Sequence, residues 1–141
     1  MKKRINGRAI IIDNDEVLLM FRRKIKDGII KEYYAIPGGG VEQGETFEEA
    51  TIREIKEEFN LDVEIISKLG IVEDDNNIGH IYNAKILGGE LKLGGEELEF
   101  NNESNYYEVQ RIKLSDIDNI ELFEENKELI RKAEMELKNE K

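Results

Sequence analysis

A glycine run that opens directly into a charged, proline-free segment constrains this chain more than any other feature. Pro37, its only proline, is followed by Gly38, Gly39 and Gly40. Three glycines in succession allow backbone conformations closed to other residues and let another group approach the main chain closely. Residues 46–59 then contain no proline or glycine and are rich in Ala, Glu, Lys and Arg, which predicts a helix. On that helix Glu54 and Glu58 stand four apart with Glu57 between them, so three carboxylates fall within roughly 100° of arc. Ile52, Ile55 and Phe59 gather on a different side and give the helix a face to bury.

Three like charges on one helix face repel, at a few tenths of a kcal/mol per i,i+4 pair. A hard divalent cation reverses that sign, because carboxylate oxygens are the ligands that Mg²⁺, Mn²⁺ and Ca²⁺ prefer. The plain alternative is a solvated acidic face. Arg53 carries a planar fork of donors suited to a carboxylate. It either holds Glu57 or Glu45 in a ligating pose or serves as a surface partner. Asn60 ends the segment, and Asn follows Gly in preference for the left-handed residue that closes a helix.

The offsets within 39–61 form a pattern. Gly39 precedes Glu45 by six positions, and the segment continues to Arg53-Glu54-Ile55-Lys56-Glu57-Glu58 and ends in Asn60-Leu61. This spacing resembles the signature of the Nudix hydrolases, with one departure, Asn60 where that signature has its last Gly. The resemblance implies the α/β Nudix fold, a mixed β-sheet sandwiched between helices. It also implies divalent-metal-dependent hydrolysis of the phosphoanhydride bond of a nucleoside diphosphate linked to another moiety, by water attack at phosphorus. Mg²⁺ or Mn²⁺ would be held by Glu54, Glu57, Glu58 and the carbonyl of Gly38, with Arg53 in support. In similar proteins a later glycine-rich loop often supplies an acidic residue as the base; counting back from Tyr107-Glu108-Val109 places Glu97 nearest, with Glu96 and Glu99 as rivals and a glutamate of the 39–61 segment as the alternative. A non-catalytic Nudix-like domain that binds nucleotides as a sensor or scaffold is the competing reading; the intact Arg53, Glu54, Glu57 and Glu58 set argues against it.

Charge narrows the partners. The net charge is −11, from 21 basic and 32 acidic residues, which opposes nonspecific nucleic-acid binding and adhesion to anionic membranes. An anionic small-molecule nucleotide or nucleoside diphosphate derivative then needs bridging cations. Without cysteine there are no disulfides, thiolate zinc sites or thiol catalysis, and a single histidine excludes paired-His metal motifs. The apolar run at 9–12 is far too short for a signal core or a membrane span, so the expectation is a cytoplasmic protein. At 141 residues, one domain over 1–141 is expected; a homodimer is compatible with the sequence but not specified by it.

Apolar runs at 8–13 and 16–23, joined by a turn at 13–15, read as a hairpin, and 31–36 as a short strand entered through a mobile connection at 24–30. Strands follow at 63–72, 78–87 and 106–114, with a glycine-punctuated stretch at 88–95. Ser115 reads as the cap of a turn at 116–118. A second helix is expected at 121–138, with Leu122, Leu129, Ile130, Ala133 and Leu137 as its stripe. Asp74, Asn76 and Gly79 imitate the start of a calcium loop, but Ile78 and Lys85 stand where ligands are needed, so the segment reads as a turn. Phe21, Tyr33, Tyr34, His80 and Tyr82 are candidates to border the cleft and stack a base, with plain packing as the alternative.

Overall fold

A computed structural model describes residues 2–94 and 102–139. Strand β1 (Arg4–Asp13) turns through Asn14, at φ 60°, into β2 (Glu16–Lys26). The turn into β3 (Ile29–Ala35) uses Asp27 at φ 52° and Gly28 at φ 76°. Two successive left-handed residues make the tight hairpin turn whose twist matches its strands. Residues 24–30 are therefore a continuous hairpin and not the mobile connection expected above; the Asp-Gly pair carried that signal.

The glycine run forms a three-residue strand, β4 (Gly38–Gly40), antiparallel to β1. Helix α1 (Phe47–Phe59) follows, then the long strands β5 (Leu61–Glu73) and β6 (Asn77–Gly89), which pair antiparallel. β6 runs parallel to β1, and β7 (Asn105–Lys113) pairs with β2. The seven strands form a mixed sheet of order β3-β2-β1-β6-β5, with β4 on β1 and β7 on β2. A 3₁₀ turn (Leu114–Asn119) and helix α2 (Glu124–Asn139) complete the described chain. The 3₁₀ turn has no side-chain cap, so Ser115 lies inside it and does not begin it.

Alternation along β1 and β2 explains the sandwich, because successive strand side chains point to opposite faces. Ile10, Val17 and Leu19 pack with Ile130 and Ala133 of α2 on one face. Ala9, Ile11, Leu18 and Met20 pack with Ile55 and Phe59 of α1 on the other. Both faces of the central strands are thus covered by a helix, as an α/β sandwich requires. Complete burial of Ile55 and Phe59 contributes roughly 1.5–3 kcal/mol each. Ile52 does not share this face as expected; it is 39% exposed, and Ala50 and Thr51 are buried instead. Leu122 is buried as expected but precedes α2, which starts at Glu124.

Candidate active site

Helix α1 is fixed at both ends by local chemistry. Thr46 Oγ1 accepts from the Glu49 N–H at 3.0 Å, and Glu49 Oε1 accepts from the Thr46 N–H at 2.8 Å. This reciprocal cap satisfies two otherwise orphaned donors and contributes about 1 kcal/mol. Asn60 closes the helix at φ 59°, ψ 33°, its N–H donating to Lys56 O at 3.1 Å. Its side-chain Nδ2 donates to Glu90 O at 2.8 Å, a bond no glycine could make. Lys92 N–H and Gly94 N–H then donate to the carbonyls of Phe59 and Glu58, so 90–94 lies along the last turn of α1.

The glycine strand comes up against the acidic face of this helix. A Cβ on Gly39 would sit 2.5 Å from the Glu54 carboxyl group, so only glycine leaves that carboxylate its place. Gly38 has φ 147°, and a Cβ there would lie 2.2 Å from Gly7 O. Gly38, Gly39, Arg53, Glu54, Glu57 and Glu58 all line one cavity of about 480 Å³.

Arg53 organises this cavity. Its Nε and Nη2 donate to the two oxygens of Glu45 at 2.7 and 3.0 Å, and Nη2 also reaches Gly40 O at 3.0 Å. Nη1 donates to Glu54 Oε1 at 2.8 Å and reaches Glu57 at 3.3 Å. Of the two partners open to Arg53 in the sequence, Glu45 therefore has the closer pair of bonds. The Arg53 guanidinium, aided by the Glu42 N–H, holds the Glu45 carboxyl down at about 2. Both Glu45 oxygens are engaged, which makes it a brace for Arg53.

Glu54 behaves in the opposite way. Burial raises its pKa, Arg53 works against that shift, and the charge of Glu57 adds to it; its carboxyl is also within hydrogen-bond reach of Glu58. Glu58 is 4% exposed. A buried carboxyl group in contact with a half-buried one favours a proton or a cation between them. The donor set, hard oxygens on one wall and glycine backbone on the other, suits a small divalent cation. Among the described residues, no three acidic or histidine side chains are yet gathered closely enough to hold an ion.

Two arginines at this site had no role in the sequence reading. Arg8 donates to Ile36 O at 2.7 Å; burial lowers its pKa, and Glu58 and Glu54 oppose that shift. Its signal was a charge embedded in the apolar β1 run, directly before Ala9-Ile10-Ile11. Arg22 donates to Tyr107 Oη at 2.6 Å, its guanidinium 4.4 Å from that ring's centre.

The expected aromatics divide. Tyr33 and Tyr34 line a second cavity beside the first. Phe21, His80 and Tyr82 line neither cavity. Phe21 packs against Tyr34 and Tyr106. His80 stacks on Phe47, with Nδ1 2.8 Å from Lys68 Nζ. Tyr82 donates to Glu48 at 2.9 Å, and burial followed by that carboxylate pushes its pKa up to about 12. Glu96, Glu97 and Glu99 lie outside the described residues. Asp74 forms the expected turn, accepting from the N–H groups of Asn76 and Asn77. No described helix is long and apolar enough to cross a membrane.

Comparison with known proteins bears on this geometry. The model of the NUDIX domain matches residues 2–132. The ADP-ribose pyrophosphatase of Methanocaldococcus jannaschii is 41% identical over 95 residues, which cover 63% of this chain and 55% of that protein. Putative nudix hydrolase 1 of Caenorhabditis elegans is 30% identical over 106 residues, covering 74% of this chain and 28% of that one. The match thus spans about half, or less, of these two relatives. Among solved structures, a NUDIX-family hydrolase from Clostridium perfringens superposes with a TM-score of 0.69 at 19% identity, covering 94% of this chain and 97% of that one. An ADP-ribose pyrophosphatase from Streptococcus suis gives 0.64 at 22% identity, covering 94% and 92%. At such identities the structures speak for the fold.

Proposed function

The chain belongs to the NUDIX family, and from that premise we propose that it is a pyrophosphohydrolase acting on a nucleoside diphosphate linked to another moiety. The observation that carries this is the single cavity shared by Gly38, Gly39, Arg53, Glu54, Glu57 and Glu58. Glu54, Glu57, Glu58 and the Gly38 carbonyl would hold Mg²⁺ or Mn²⁺. Such an ion, when bound, neutralises charge on phosphoryl oxygens and acidifies a bound water.

The chain's own residues do the rest. Arg53, braced by Glu45, fixes the rotamers of Glu54 and Glu57. The glycine backbone leaves room for a diphosphate beside them, and Arg8 and Arg22 at the cavity edge offset its charge. A carboxylate within hydrogen-bond reach takes the proton as water attacks phosphorus; we assign this to Glu97, from its sequence distance to Tyr107-Glu108-Val109. The water oxygen forms the new P–O bond, the anhydride P–O bond breaks, and the leaving phosphate keeps the electron pair.

ADP-ribose is the first substrate to try, because the M. jannaschii relative bears that substrate in its name. The test is a panel of ADP-ribose, nucleotide sugars, dinucleotides and nucleoside triphosphates with Mg²⁺ or Mn²⁺, followed by phosphate release after phosphatase coupling. Turnover of at least one diphosphate, abolished by chelator, supports the proposal. Binding without turnover across the whole panel contradicts it and favours a sensor domain.

A further inference from the structure

Asn60 stands where the Nudix signature has its last glycine, and the exchange adds a contact. Either residue can take the left-handed cap at φ 59°. Only asparagine brings the side-chain Nδ2 that donates to Glu90 O at 2.8 Å. That bond clasps the start of a strap, residues 90–94, which runs along the last turn of α1. The last four carbonyls of a helix have no partner inside it; in α1 they belong to Lys56, Glu57, Glu58 and Phe59. Asn60 N–H donates to the first at 3.1 Å, Gly94 N–H to the third at 2.8 Å and Lys92 N–H to the fourth at 3.1 Å. The strap lies so close to the second that a Cβ on Gly94 would stand 2.5 Å from Glu57 O. Leu91 and Leu93 alternate with these donors and pack against the core cluster that contains Ile55 and Phe59.

The turn covered by the strap carries Glu57 and Glu58, and both line the cavity. Helix ends fray when their backbone groups go unpartnered, and a fraying turn gives its side chains no fixed direction. A ligating side chain has to be held within roughly 0.5 Å of its working position. Most helices end away from the chemistry they carry. Here two of the three acidic side chains sit in the final turn, so the support of that turn decides where they point.

We propose that Asn60 is a positioning residue: by clasping the 90–94 strap to the end of α1, it holds the turn that aims Glu57 and Glu58 at the cation. This rests on the proposed function for the cation, whereas the clasp can be measured without it.

The experiment compares the parent with Asn60→Gly and Gly94→Ala, by amide hydrogen exchange in NMR and by calorimetric titration with Mn²⁺ alone. Asn60→Gly keeps the cap and loses the clasp; Gly94→Ala keeps Asn60 and presses a Cβ on Glu57 O. In both, the amides of Glu57, Glu58 and Phe59 should exchange about tenfold faster than in the parent. Those of Ile10 and Ile11 in β1 should keep the parent rate. Mn²⁺ affinity should fall about tenfold as well, although Asn60→Gly melts close to the parent. A residue that only stabilised the fold would move the melt and leave Mn²⁺ binding alone. Parent-like exchange at 57–59 in Asn60→Gly, or an equal rise there and in β1, overturns the clasp. Faster exchange with parental Mn²⁺ affinity overturns the positioning role, and so does a folded Gly94→Ala with no effect on either readout. If Gly94→Ala does not fold, Asn60→Gly alone decides. A parent that takes up no Mn²⁺ overturns the proposed function and this inference together; a parent that binds it no better than the variants overturns this inference alone.

Discussion

Arg53 grips Glu45 through two donors at once, Nε to Oε2 at 2.7 Å and Nη2 to Oε1 at 3.0 Å. Glu45 lies before the helix and Arg53 lies midway along it, so this contact locks the glycine strand's exit to the acidic face. The remaining Arg53 donor is then free to orient Glu54.

Arg53→Lys should fail to replace this fork, since an ammonium cannot serve Glu45 bidentately while reaching Glu54 and Gly40. We expect kcat to fall on the order of 10²-fold, the scale of a misplaced catalytic group, with KM less affected. Steady-state kinetics check this; parent-like kcat would remove Arg53 from the positioning role.

Asn60 separates backbone from side chain. Asn60→Val places a β-branched residue at φ 59° and should cost on the order of 1 kcal/mol or more. Asn60→Gly removes that strain but also the bond to Glu90 O, itself about 0.5–1.5 kcal/mol. The two effects nearly cancel, so Gly should melt close to the parent and Val well below it. Equal melts for Val and parent would show that the left-handed cap is unimportant.

His80 is the only histidine, so its titration can be followed without ambiguity. Burial first, then the Lys68 charge, lowers its pKa below the ordinary 6.5, with Glu48 pulling the other way. The unfolded chain therefore takes the proton at a higher pH than the folded one. Stability from this residue is complete above about pH 6.5 and is lost as pH falls from there toward the folded pKa. Proton NMR should give a midpoint under 6.5, and melts should soften across that interval in the parent more than in His80→Gln. A midpoint at or above 6.5 would contradict the packing described.

Glu97 is assigned as base by its place in the chain alone. Glu97→Gln should cut kcat by roughly 10²–10⁴-fold, with KM and metal affinity changed much less. Glu96→Gln and Glu99→Gln are controls of equal charge and neighbouring sequence position. Small, equal losses in all three would return the base to Glu54 or Glu57.

The acidic helix and its face could be read from the sequence because helical period fixes where Glu54, Glu57 and Glu58 fall relative to Ile55 and Phe59. The strands, and the first hairpin, are equally legible where apolar runs meet polar turns. Three things were not. The Asp27-Gly28 turn is obscured by Lys24, Lys26 and Lys31, which interrupt the apolar pattern on both sides of it. Ile52 belongs to the apolar face by residue type, whereas the sheet meets the helix along Thr51, Ile55 and Phe59. The arginines Arg8 and Arg22 come to the site from β1 and β2, and only the parallel β1–β6 pairing and the glycine strand beside β1 bring them there. Tertiary neighbours of that kind leave no local pattern.

The central claim is that the cavity between the glycine strand and α1 cleaves a phosphoanhydride. Its most direct test is turnover of ADP-ribose with Mg²⁺ or Mn²⁺ by the parent and by Glu58→Gln, both shown to be folded by thermal melt. Removing one carboxylate from a site that works as a cation cage should cost at least roughly 10²-fold in turnover. The charge removed lies in contact with Glu54, so the apo fold should survive. The expected result is AMP and ribose 5-phosphate from the parent, none with chelator, and a loss of 10²-fold or more in the variant. Near-parental turnover by folded Glu58→Gln would contradict it.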